Sequence, residues 1–291
     1  MKLTEILGFT KIQAIEYLER IRWDDKPICP HCKSMEVTAL KGVATRQGVY
    51  KCKNKNCRKQ FTVTVGTIFE GSHIPLNKWI AAFALVCSSK KGISSHQIHR
   101  TLEITYKTAW FMVHRIRYAL EQSPKSPLLS GRVEVDETYV GGKKRDHRPE
   151  PKKTPVIALV QRDGTVRTKV IKCTKASELR KVIEENVDKN STLITDNYKS
   201  YTKLGKEFKG GHKVVSHSTG QYAIGEYSTN TVESYFSLLK RGITGTFHHV
   251  SPQHLHRFCH EFNFRWNTRK ITDGERLNTC LRISRWEKVG L

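Results

Sequence analysis

Two close pairs of cysteines constrain this chain more than any other feature. Cys29-Pro30-His31-Cys32 makes one tight knuckle and Cys52-Lys53-Asn54-Lys55-Asn56-Cys57 makes a second. Four thiolates on two short loops give a tetrahedral sulfur cage, the geometry that Zn²⁺ prefers in structural sites. Residues 37–40 and 49–51 have the composition of short strands, and Phe61, Val63 and Val65 extend the same pattern. The expectation is one structural Zn²⁺ on Cys29, Cys32, Cys52 and Cys57, with His31 outside a filled cage. Thiols paired in this way suit a reducing cytoplasm better than a disulfide scaffold.

Charge narrows the partner. At 291 residues the chain has room for two or three domains, and it carries 51 Lys+Arg against 27 Asp+Glu, a net charge of +24. The excess runs through both halves and is not a tail. A basic surface along a whole protein is what polyanion binding needs, because each neutralised phosphate releases counterions. Lys53, Lys55, Arg58 and Lys59 crowd the second cysteine knuckle and are expected to touch DNA. No secretory leader is read, and the longest apolar run, residues 79–87, is far too short to span a bilayer. No membrane partner is expected.

Residues 3–22 read as one amphipathic helix, with Ile6, Ile12, Ile15, Leu18 and Ile21 near helical spacing. With the zinc ribbon this makes a first domain over 1–65. After Gly66 and Gly71 the chain turns helical. Pro75 sits at a helix start, residues 79–86 form a buried face, and Ser94 is an N-cap with Gln97 three residues on. A short helix over 95–102, the turn Glu103-Ile104-Thr105 and a longer helix capped by Thr105 predict a helix-turn-helix. Its inner face would carry Ala109, Trp110, Val113 and Ile116. Tyr106, Lys107 and Arg115 lie off that stripe, on the face that would enter the major groove. An ordinary helical bundle is the competing reading. This second domain spans 66–125 and closes on a linker, Ser123-Pro124-Lys125-Ser126-Pro127.

The third domain, 126–291, is organised around Val133-Glu134-Val135-Asp136-Glu137-Thr138-Tyr139-Val140-Gly141-Gly142, a β-rich run that carries carboxylates and breaks at a glycine pair. Asp136 is expected near the end of this first strand. Two more strands follow over 155–161 and 167–173, then a helix over 176–187. A strand over 191–196 again ends in an aspartate, Asp196. A fifth strand is read at 213–216, and a helix opens at Asn230. Three strands, a helix, a strand, another strand and a closing helix is the ribonuclease H-like order. There the first and fourth strands lie side by side, so Asp136 and Asp196 meet at one edge. Glu233, on the closing helix, is placed to be a third carboxylate.

The pieces together resemble the DDE transposases, in particular the Merlin-related bacterial insertion-sequence group with an N-terminal zinc ribbon. The resemblance rests on Glu134-Val135-Asp136-Glu137-Thr138-Tyr139-Val140-Gly141-Gly142, on Thr195-Asp196-Asn197-Tyr198, and on Asn230-Thr231-Val232-Glu233-Ser234. The last leads through Leu239-Lys240-Arg241-Gly242 to Glu261-Phe262-Asn263-Phe264-Arg265. It implies a catalytic triad of Asp136, Asp196 and Glu233 and two divalent metals. It further implies transfer of a short element between terminal inverted repeats, on double-stranded DNA as end and target. A homodimer in a synaptic complex and a bacterial, nucleoid-associated cytoplasmic location come with the family.

Members of this group use Glu or Asn at the third position, and both Asn230 and Glu233 stand here, three apart on one helical face. Asn230-x-x-Glu233 also reads as a capping box at a helix start. Lys240, two turns beyond Glu233, is in reach of a phosphate. Hard carboxylate oxygens suit Mg²⁺ or Mn²⁺ and not zinc. The fold class expected is multidomain α/β, a ribonuclease H-like catalytic domain preceded by a zinc ribbon and a helix-turn-helix. The other readings are a DNA-binding protein on an inactive nuclease fold and a related structure-specific nuclease.

Overall fold

The computed structural model describes residues 3–24, 26–42, 45–121, 126–142, 153–201, 204–216 and 223–284. Most of the expected linker, residues 123–127, lies outside them. Residues 1–120 with 271–291 form one compact unit, and residues 121–270 form the other.

In the first unit, α1 (Leu3–Leu7) and α2 (Lys11–Trp23) replace the single expected helix. The chain breaks at Gly8 and restarts at Thr10, whose hydroxyl accepts from the Gln13 N–H at 3.3 Å while Gln13 Oε1 accepts from the Thr10 N–H at 2.9 Å. This reciprocal box satisfies two donors that a fresh helix start exposes, which makes the interruption inexpensive. Three short strands, β1 (Val37–Ala39), β2 (Val49–Cys52) and β3 (Gln60–Thr62), then pair antiparallel in chain order. Trp23 closes their inner face, with Tyr50 and Phe61 edge-on to it at 5.4 and 6.0 Å.

Three helices follow, α3 (Leu76–Ser88), α4 (Ser95–Leu102) and α5 (Tyr106–Ala119). Ser94 and Thr105 cap the last two, accepting from Gln97 N and Thr108 N, both at 3.2 Å. The turn between α4 and α5 passes through Glu103 in the left-handed region, φ 50°. The inner face of α5 is Ala109, Met112, Val113 and Ile116. Trp110, expected there, is instead 37 % exposed and lies against His114 at 4.2 Å between ring centroids. It sits one position round from Ala109, just off the buried stripe.

The second unit is built on a mixed five-stranded sheet. Its strands are β4 (Arg132–Val140), β5 (Thr154–Gln161), β6 (Val166–Val170), β7 (Thr192–Asp196) and β8 (His212–Val215), in the order β6-β5-β4-β7-β8. β5 is antiparallel to both β4 and β6, whereas β4–β7 and β7–β8 are parallel. This is the ribonuclease H-like order, with the first and fourth strands adjacent.

Side chains alternate across the sheet and sort its two cores. Val133, Val135, Ile157 and Leu159 pack with Leu179, Val182 and Ile183 of α6 (Ala176–Asn186) and with Tyr201. Val156, Ala158 and Val160 face the other way. They pack with Val232, Tyr235 and Leu239 of α7 (Asn230–Gly242) and Phe262 of α8 (Leu255–Asn267). A two-strand hairpin, β9 (Ala223–Ile224) and β10 (Tyr227–Ser228), leads into α7.

Two details fix the sheet's borders. A side chain at Gly210 would come within 2.6 Å of the Ser191 carbonyl carbon and the Thr192 nitrogen, so only glycine lets β8 close on β7. At the opposite edge, Asn267 of α8 acts as a substitute strand. Its Oδ1 accepts from Val166 N at 2.7 Å and its Nδ2 donates to Val166 O at 3.1 Å. An edge strand is thereby denied a free pair of backbone groups.

The last helix, α9 (Asp273–Ile283), belongs to the first unit, not to the carboxylate domain in which residues 271–291 were expected. Leu277, Cys280 and Leu281 are its buried residues. Tyr17 donates to Asn278 Oδ1 at 2.6 Å, and Ile68 N donates to Ser284 O at 3.2 Å. The reason lies in α3, whose residues from Trp79 to Ala84 are all buried. A helix apolar on every side needs cover from more than one neighbour.

Candidate active site and zinc centre

The four cysteines converge as their spacing predicts. Their Sγ atoms lie within 4.8 Å of one another, with Cys29–Cys57 at 3.8 Å and Cys32–Cys52 at 3.5 Å. A tetrahedron around zinc with Zn–S bonds of about 2.3 Å has edges of about 3.8 Å, so the cage has the size of a zinc site. Burial pushes Cys29 upward, but hydrogen bonds from the Cys32 and His31 backbone and the Cys32 and Cys57 thiols lower it to about 7. Burial and the neighbouring sulfurs push Cys52 up to about 12. Four thiolates side by side require a cation. Around the second knuckle Lys53, Lys55, Arg58 and Lys59 are all exposed.

The carboxylates are arranged by strand register. The β4–β7 ladder pairs Glu134 with Ile194 and Val135 with Thr195, so Asp136 and Asp196 come next in register on adjacent strands about 4.8 Å apart. Strand parity puts both on the face covered by α7. Asp136 is not near the end of its own strand: β4 runs four residues further, paired with β5 to Thr154. What ends beside Asp136 is its parallel partner, since Asp196 is the last residue of β7. Across β4–β5 its neighbour is Ala158, a small side chain that leaves room on this face.

Each carboxylate holds a local donor. Asp136 Oδ1 accepts from Glu137 N at 2.7 Å, and Asp196 Oδ1 from Tyr198 N at 3.1 Å. Glu233 Oε1 accepts from Thr229 Oγ1 at 3.0 Å. Among the described residues the cysteines alone are drawn together as a ligand group, and these three carboxylates are not. Carboxylate oxygens of this kind suit a hard divalent cation, and the charges of Asp136 and Asp196 both add to the upward shift of Glu137 and Tyr201.

Asn230, Glu233 and Lys240 are exposed on α7. The helix's N-cap is Thr229, whose side chain makes no cap bond, so Asn230 and Glu233 do not form the capping box that their spacing allowed.

The two carboxylates flanking Asp136 have other work. Glu137 points to the α6 face, where Tyr201 donates to it; burial, with Asp136 and Asp196 adding, raises it to about 7. Glu134 is fully buried and ion-paired to Arg162 at 2.9 Å. Neither stands in for Asp136. The sequence marked both as acidic and gave no sign of their partners, which lie 64 and 28 residues away.

On α5, Tyr106 and Lys107 are exposed, and Tyr106 stacks on His96 with centroids 4.3 Å apart. Arg115 is not on that open face. Its guanidinium lies over Trp79 at 5.7 Å and Phe111 at 5.4 Å and reaches Glu70 O at 3.5 Å, and burial lowers its pKa. Among the described residues no helix is long and apolar enough to cross a membrane.

Residues 128–267 match the model of the ISXO2-like transposase domain, and residues 10–60 match that of the transposase zinc-ribbon domain. The chain is 30% identical over 288 residues to an uncharacterized protein in transposable element ISH50 of Halobacterium salinarum, an alignment covering 92% of this chain and 95% of that one. Among solved structures, the Mos1 transposase paired-end complex with left transposon end overlaps 67% of this chain and 79% of its own at 13% identity, with a TM-score of 0.24. The Mos1 transposase catalytic domain with Raltegravir and Mn overlaps 60% and 96% at 14% identity, with a TM-score of 0.23. Superpositions that loose do not bear on the fold, which stands on its own strand order. The full-length relative and the two domain matches agree: the chain belongs to the ISXO2-like family of DDE transposases that carry an N-terminal zinc ribbon.

Proposed function

We propose that this transposase binds the terminal inverted repeats of an insertion sequence and catalyses metal-dependent cleavage and strand transfer at Asp136, Asp196 and Glu233. The observation that carries the reading is the register of Asp136 beside Asp196, on the sheet face that α7 covers. Intact carboxylates at those positions favour it over a DNA-binding protein on an inactive nuclease fold. The N-terminal modules favour it over a structure-specific nuclease, which needs no sequence readout.

Asp136, Asp196 and Glu233 are the residues to hold two Mg²⁺ or Mn²⁺ ions. Such ions, when bound, activate a water or a DNA 3′-hydroxyl and stabilise the leaving oxygen of an in-line displacement. The chain's own part is to aim oxygen donors at one place and keep the surrounding sheet rigid. Lys240, two turns along α7, is placed to neutralise a phosphate of the bound strand. No side chain need act as a covalent nucleophile.

The zinc ribbon and the α4–α5 pair are the DNA-reading modules in this account. Exposure of Tyr106 and Lys107 at the start of α5 supports a helix-turn-helix that presents its second helix to the major groove. The basic second knuckle would hold phosphates beside it. Two element ends call for a homodimer in the synaptic complex, and the compartment consistent with this role is the bacterial cytoplasm at the nucleoid.

Glu233→Gln and Asn230→Ala, compared for joining of a labelled end with Mg²⁺, test the third position. Loss of joining in Glu233→Gln alone supports the triad. Loss in Asn230→Ala alone moves the ligand to Asn230.

A further inference from the structure

Helix α7 starts without a cap of its own. Thr229 makes no side-chain cap bond, yet the first-turn donors of a helix need partners. They find them on β4. Glu134 Oε2 accepts from Thr231 N at 2.9 Å and from Val232 N at 3.0 Å, and Glu134 Oε1 accepts from Thr231 Oγ1 at 2.8 Å. The carboxylate is fully buried, and a buried charge must be paired. Arg162, in the turn after β5, supplies the pair through Nη2 at 2.9 Å and Nε at 3.3 Å.

The same guanidinium reaches forward to β10. It donates to Ser228 Oγ at 2.9 Å, to Ser228 O at 3.3 Å and to Glu226 O. One carboxylate and one guanidinium thus tie β4 and the β5 turn to the hairpin that enters α7 and to the first turn of α7. Glu134 stands two residues before Asp136 on the same face of β4, and Thr231 and Val232 stand just before Glu233.

We infer that Glu134, held by Arg162, is a positioning residue for the active site: it caps α7 from the neighbouring strand and so fixes Glu233 relative to Asp136. This rests on the reading of Asp136, Asp196 and Glu233 as the metal-holding carboxylates. Glu134 touches no reacting group in this scheme. An aspartate, one methylene shorter, would pull the helix start toward the strand, and a glutamine would keep an acceptor for the amides while giving up the ion pair. A helix propped by hydrophobic packing alone would keep its place in the core, yet its first turn would be free to shift.

The test uses the full chain and three variants. The Glu134→Met/Arg162→Met double variant replaces a buried ion pair by apolar groups of similar length, which preserves folding in comparable cases. Glu134→Gln keeps the test open should the double variant not fold. Asp136→Ala tests the underlying site. Two quantities are read: amide hydrogen exchange at Thr231 and Val232, and joining of a labelled duplex end at saturating DNA as Mn²⁺ is varied.

The double variant is expected to melt cooperatively while both amides exchange about tenfold faster or more, as loss of charge-assisted hydrogen bonds implies. Its half-saturating Mn²⁺ should rise about 10- to 100-fold, the usual effect of removing a group that orients a metal ligand. Glu134→Gln should fall between it and the parent. Unchanged exchange and an unchanged Mn²⁺ requirement in both Glu134 variants would overturn the inference while leaving the active-site reading intact. Joining by Asp136→Ala would instead overturn the reading on which it rests, whatever the amides do.

Discussion

Asp136 and Asp196 stand one register position beyond the Val135–Thr195 pair that closes the β4–β7 ladder, on neighbouring parallel strands and on one face. Among the described residues, no other register position of the five-stranded sheet brings two acidic side chains together. Their relation is set by hydrogen-bonded register, which a one-residue slip would invert by sending one of them to the opposite core.

The ribbon should contain one tightly bound zinc per chain, measured by elemental analysis of purified protein. Cys52→Ser removes a ligand that is almost fully buried, so the zinc should be lost and β1–β3 should lose protection from proteolysis. Zinc retained at parent stoichiometry would contradict the four-cysteine cage.

Lys107 and Arg115 should behave differently although the sequence put them on one face. Lys107→Ala should weaken binding to duplex DNA and reduce the slope of log affinity against log salt by about 1. Arg115→Ala should leave that slope alone and destabilise the first unit by about 1 kcal/mol, through lost packing on Trp79 and Phe111. Salt titrations and denaturant melts of both variants check this.

Asn267→Ala should expose the edge of β6. Val166 N and O both lose their side-chain partners, at a cost of about 1–3 kcal/mol in denaturant unfolding. The variant should also self-associate at high concentration, because an open strand edge is a template for pairing.

His260 should make stability fall with acid. Burial, with His256, Lys169 and Arg257 adding, pushes its pKa down from 6.5 to about 4. A histidine lowered in the folded state binds its proton more readily when unfolded. Its contribution is therefore complete above about pH 6.5 and is lost as pH falls toward about 4. Urea midpoints between those limits should drop less steeply in His260→Gln than in the parent.

Much of the fold is legible in the sequence, and part of what is not has one cause. Cysteine spacing, strand alternation and cap residues are local signals, and each led to the element now seen: the cage, β4 to β8, α4 and α5. The strand order followed from the sequence of element types. What local signals cannot carry is the identity of a distant partner. The sequence shows Glu134 only as an acidic strand residue, because the amides it accepts from lie 97 and 98 residues downstream. Arg115 read as a groove residue, because nothing local says that Trp79 waits beneath it.

Helix α9 carries a local signal of its own, since Thr272 and Glu275 form a full capping box. The break at Thr10 is the same motif, Thr10 with Gln13, hidden inside an apolar periodicity that ran straight across it. The glycines at 141 and 142 suggest a strand end near Asp136. The strand end that matters belongs to its partner β7.

The central claim is that Asp136 and Asp196 are the core of the metal site, and strand transfer measures it most directly. Purified protein with Mg²⁺ should join a labelled terminal-repeat end to a target duplex. Asp136→Ala and Asp196→Ala should bind the same end with parent affinity and yield no joined product. Joining by either variant at a rate comparable to the parent would contradict the assignment.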